Sequence, residues 1–136
     1  MRAIFTISAL LIIPFLYCTV KTSTALKIRI ELDVFSGRPN PGWVLENAEV
    51  DTINHMLQNL PPCKTPVPTD GLGYRGFILY REEEGKKETI HVYNNMVSLE
   101  GNPSKILIDQ NHVEQALFNM AKQKGYSKLL EELGLK

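Results

Sequence analysis

The chain has little cysteine, histidine or tryptophan and no surplus charge of either sign, and each scarcity excludes something. It holds two cysteines, Cys18 at the end of an apolar N-terminal run and Cys63 among prolines. Beyond that run a single thiol remains, which closes no internal disulfide, so a cysteine-stapled toxin, inhibitor or growth-factor scaffold is excluded. Lys+Arg and Asp+Glu both number 15. That balance provides no basic field for nucleic acid or an acidic membrane surface. His55, His91 and His112 have no i, i+4 partner and no nearby cysteine pair, so no zinc-ligand pattern exists. The nucleophile elbow, P-loop, dinucleotide fingerprint and EF-hand loop are all missing. Asn102-Pro103-Ser104 has the spacing of a glycan acceptor, but its central proline blocks it. No cofactor and no metal is expected.

What is present begins with an exported layout. Met1 and Arg2 lead into a nearly unbroken apolar run from Ala3 to Tyr17, and Ser23-Thr24-Ala25 puts small residues at −3 and −1 of a cut after Ala25. That is the organisation of a secretory signal peptide. The run falls short of the ~20 residues that span hydrocarbon, so no stable membrane anchor is expected. Tyr17 is too bulky to precede a lipoprotein cysteine at Cys18. The chain therefore divides into a signal peptide, 1–25, and a single secreted domain, 26–136. Loss of Arg2 and Lys21 leaves 13 cations against 15 acids, a net charge of −2. The whole chain is 43% hydrophobic and 22% charged, a globular balance, and a domain of this length buries about two-thirds of its unfolded surface without staples.

Leu26 to Val34 alternates apolar and charged residues without a break, which predicts a strand with one buried and one wet face. A turn-rich loop, Phe35 to Trp43, follows. Val50, Ile53, Leu57 and Leu60 fall on one helical stripe that Pro61-Pro62 ends. After a proline-rich loop, Gly73–Arg81 and Glu88–Tyr93 read as a hairpin joined by the charged stretch 82–87. Met96–Leu99 extends the sheet before Gly101-Asn102-Pro103 turns the chain. Asp109 reads as the cap of a helix carrying Val113, Leu117 and Ala121 on one face, Gly125 closes it, and Ser127–Leu133 supplies a short last helix. The expected class is α+β, a small antiparallel sheet of 3–4 strands covered on one face by 2–3 helices.

Asp33-Val34-Phe35-Ser36-Gly37-Arg38-Pro39-Asn40-Pro41 resembles a group of small proteins whose Phe-Ser-Gly-Arg-Pro-Asn-Pro loop also follows an N-terminal strand. Gly73-Tyr74-Arg75-Gly76-Phe77 is similar to their second signature. The resemblance implies a likeness of fold and nothing about chemistry. On physical grounds Pro39 and Pro41 fix their own φ and hold Arg38 and Asn40 extended. Such a stiff loop offers Arg38, Asn40 and Trp43 as candidate binding residues. The same residues also read as a plain connector, with Phe35 and Trp43 plugging the core edge and Arg38 paired with Asp33 or Glu31.

The expected function is a secreted, non-enzymatic interaction or matrix-associated protein whose partner is an extracellular protein or matrix component. The alternative is a small secreted hydrolase using His91 or Cys63 with a carboxylate. Glu82-Glu83-Glu84 beside Lys86-Lys87 reads as a solvated turn rather than a calcium site. Cys63 either packs as a small hydrophobe or, exposed in an oxidising compartment, forms an intermolecular disulfide, giving a Cys63-linked homodimer or a mixed disulfide.

Overall fold

In the computed structural model, residues 25–64 and 73–135 are described. Apart from Ala25, the expected signal peptide lies outside the described residues. So does the proline-rich stretch after Lys64 up to Leu72.

The alternation at the start of the domain becomes strand β1, Lys27–Leu32, with Ile28, Ile30 and Leu32 fully buried. The loop after it returns the chain as β2, Gly42–Val44, antiparallel to β1 with Trp43 opposite Ile30. A three-residue strand is too short to show a period, so it reads as loop in sequence. Helix α1, Asn47–Met56, starts where the Glu46 N–H donates to the Glu49 carboxylate at 2.8 Å. It buries Val50 and Ile53. The helix stops before the prolines, because Asn59 turns left-handed at φ 56°. Pro61-Pro62 has a different role from the expected helix stop: this stretch lies along the sheet edge, where Ile108 N–H donates to Pro61 O at 2.8 Å and Cys63 N–H to Ile106 O at 2.7 Å. Edge positions tolerate residues without an N–H.

Strands β3, Phe77–Glu83, and β4, Lys86–Tyr93, form the expected hairpin with a much shorter connection. Glu82 faces Lys87 and Glu83 faces Lys86 across the ladder. Cross-strand opposite charges favour pairing, and the turn shrinks to Glu84-Gly85, both at positive φ (50° and 79°). Asn94-Asn95 makes a second such turn into β5, Met96–Leu99. Strand β6, Asn102–Ile108, then adds to β5. The sheet is thus six-stranded and antiparallel, in the order β2-β1-β3-β4-β5-β6. The expected 3–4 strands undercounted it because β2 is short and β6 opens on Asn102-Pro103, a turn signal.

Helix α2, Val113–Ala121, runs through a wider turn to Gly125 (φ 95°), which breaks it before α3, Ser127–Glu132. Asp109 does cap α2, although His112 (φ 59°) occupies the adjoining position. Its buried carboxylate accepts the N–H groups of Val113 at 2.8 Å and Glu114 at 2.9 Å. Ile53 of α1, Leu117 and Phe118 of α2 and Leu130 of α3 share one core with Ile30, Leu79 and Val92 of the sheet. The α+β class holds. On the opposite face Tyr80, His91, Tyr93 and Met96 stay half-buried. Among the described residues no helix is long and apolar enough to cross a membrane.

Candidate functional site

The loop between β1 and β2 is held from inside by one side chain and from outside by another. Asn40 folds back under the loop, where its Oδ1 accepts the N–H groups of Val34 at 3.0 Å and Phe35 at 2.8 Å. Its Nδ2 donates to Glu31 and to Asp33, both at 3.1 Å. All the hydrogen-bonding capacity of that amide group is spent on the chain itself. Arg75, from the segment before β3, clamps the other side. Its Nε donates to Asp33 Oδ2 at 2.9 Å and its Nη2 to Asp33 Oδ1, a forked ion pair. Nη2 also reaches Phe35 O at 3.1 Å and Nη1 reaches Ser36 Oγ at 3.3 Å. The hydrogen bonds to Asp33 raise the Arg75 pKa further above its already basic value.

The two stretches that carry the sequence resemblance therefore meet, although some 40 residues separate them in sequence. Backbone bonds seal the junction: Arg75 N–H donates to Asp33 O at 2.8 Å, and Asp33 N–H to Gly76 O at 2.9 Å. Gly76 permits it. At φ 101° a side chain there would bring its Cβ to 2.3 Å from Val92 O, so this crossing accepts only glycine. Tyr74 fixes the same segment to α2 by donating to Glu114 at 2.5 Å. Glu114 also accepts the N–H groups of Asn95 at 3.2 Å and Asn94 at 3.4 Å. Burial and then the Glu114 carboxylate push the Tyr74 phenol far above its usual range, so it remains a donor at any physiological pH.

Of the three candidate binding residues, only Arg38 projects into solvent. Asn40 is consumed by the loop. Trp43 faces the core, with its ring 6.3 Å from Phe77 and 5.8 Å from Tyr126. Its Nε1 has no acceptor among the described residues. Arg38 pairs with neither Asp33, which Arg75 holds, nor Glu31, which Arg29 approaches at 3.3 Å. Its guanidinium stacks on the Phe35 ring, 3.5 Å from the centroid. Sequence reasoning noticed Arg75 as part of a signature and missed that it is the clamp. A charged residue in the short segment Gly73–Gly76, needing a partner somewhere, was the available signal.

His91 and Cys63 are not brought together. By register they lie in one row across the sheet, His91–Ser98–Ile106–Cys63. Three strand intervals separate them by roughly 14 Å. No carboxylate among the described residues hydrogen-bonds to His91. Cys63 is half-buried with its Sγ 3.9 Å from Met96 Sδ. A shallow groove of ≈ 420 Å³ on the open sheet face is lined by Lys27, Arg29, Val44, Tyr80 and Thr89 among others, none of them histidine. Among the described residues no group of three or more His, Cys, Asp or Glu is placed to hold a metal ion. Glu83 of the acidic run is occupied by Arg81 at 2.8 Å. Compared with family models, curated proteins and solved structures, the chain matches none.

Proposed function

We propose that this chain is a secreted, non-enzymatic interaction module of an extracellular fluid or matrix, and that it meets its protein or matrix partner through the 35–41 loop. One observation carries the reading. The loop spends Asn40, Asp33 and Arg75 on its own geometry and leaves Arg38 stacked and facing outward. A side chain held this way loses little entropy on binding, which is the property of a preorganised contact. Export rests on the N-terminal apolar run and the small residues before Leu26. A Cys63-linked homodimer or mixed disulfide belongs to the same reading, because an oxidising compartment acts on a thiol that is only half covered. The test is retention of the secreted protein on native extracellular material, with Arg38→Ala run beside it. Retention that depends on Arg38, with Leu26 as the N-terminal residue of the secreted form, supports the reading. Equal retention of both proteins, or none of either, sinks it.

A further inference from the structure

Arg38 sits where several independent features converge on one kind of ligand. Pro39 follows it, Asn40 holds the N–H groups of Val34 and Phe35, and Arg75 holds Phe35 O and Ser36 Oγ, so its backbone direction is set before anything binds. The Phe35 ring at 3.5 Å supports one face of the guanidinium, while the N–H edge has no acceptor among the described residues. The bonded network around it contains Arg29, Arg38 and Arg75 against Glu31 and Asp33. The two carboxylates are met by Arg29, Arg75 and Asn40, so the excess positive charge lies on Arg38 alone.

We infer, resting on the reading of the loop as the contact surface, that Arg38 receives a carboxylate from an acidic segment of a protein partner. A planar guanidinium with a free edge matches a carboxylate through two parallel hydrogen bonds. The Phe35 ring lies under the face of the guanidinium and not across that edge, so the edge stays open to a carboxylate. A sulfated glycan asks for something else. It is held by a field of several cations, and here a single uncompensated cation stands beside two carboxylates on a domain of net charge −2. At the neighbouring edge of the sheet the Tyr126 hydroxyl donates to the outward Gly42 carbonyl at 3.1 Å, which removes one acceptor that strand addition would use.

The experiment measures binding of a fluorescent glutamate-rich peptide to the purified chain, with heparin and inorganic phosphate as separate probes. Arg38→Ala is expected to weaken peptide binding about tenfold, Arg38→Lys by a smaller factor because charge remains while the fork is lost, and Phe35→Leu by a similar smaller factor. Thermal melting and circular dichroism of Arg38→Ala should match the parent, since the side chain is exposed and bonded to nothing beyond the ring. Peptide binding that ignores Arg38 overturns the inference. So does Arg38-dependent binding of heparin or phosphate without binding of the peptide. If retention on extracellular material depends on Arg38 while the peptide shows no such dependence, the module reading stands and the acidic-segment inference falls. If neither depends on Arg38, both fall.

Discussion

Asn40→Asp changes one atom type in the loop and should be among the most damaging surface-proximal substitutions in the domain. The retained Oδ1 still accepts from Val34 and Phe35, so the backbone clamp survives. The Nδ2 that donates to Glu31 and Asp33 at 3.1 Å becomes an oxygen facing two carboxylates. Two hydrogen bonds to charged acceptors are lost, about 1.5 kcal/mol each at the lower end of the range, which suits partly exposed partners. Like-charge repulsion adds to that. Protonating the new carboxylate, with an ordinary value near 3.9, limits the repulsion to about 4 kcal/mol at pH 7, and its single O–H replaces only one of the two lost bonds. The expected loss is therefore about 3–4 kcal/mol, or a melting temperature roughly 10–20 °C lower. The sign with pH follows from the raised pKa the new carboxyl would have in the folded state. The folded chain then holds more protons than the unfolded one, so the deficit grows as pH rises above ~4 and narrows as pH falls toward it. Urea unfolding of parent and variant at three pH values between 4.5 and 7 measures this. A variant as stable as the parent at pH 7, or a deficit that does not change with pH, would refute the network as described.

Gly76→Ala should cost roughly 3 kcal/mol or more, since it combines a strained φ of 101° with a Cβ placed 2.3 Å from Val92 O; chemical denaturation checks it, and near-parental stability would mean the crossing relaxes easily. Burial raises the Glu49 carboxyl, but the Glu46 N–H and the Lys124 ammonium outweigh it and hold it below the usual range. That contribution is present above ~4.3 and is lost as pH falls through the lower folded value. Glu49→Gln should therefore lose about 0.5–1 kcal/mol at pH 7 and match the parent in strong acid, as read from paired melts. For Cys63, material alkylated at harvest should run on a non-reducing gel as a dimer or mixed disulfide; a monomer whose thiol labels only after denaturation shows it buried in the native domain.

Local signals were strong wherever one segment decides its own structure. The β1 alternation identified the buried face, and Ile28, Ile30 and Leu32 occupy it. Asp109 marked the start of α2 and Gly125 the break before α3, because capping and left-handed turns are chemistry of a few adjacent residues. The α+β class follows from the order of those periods. Strands β2 and β6 were illegible because a short or proline-opened strand is stabilised by its neighbour in the sheet and carries no pattern of its own. The loop shows the same division. Its prolines and glycines announced stiffness, and Arg38 was visible as its charged tip. That Asp33 belongs to Arg75 and not to Arg38 was settled by folding alone, because an ion pair spanning 42 residues depends on which strands lie side by side. Only once β1 pairs with β3 do Gly76 and Asp33 touch, and only then is Arg38 left with the Phe35 ring beneath it and solvent above.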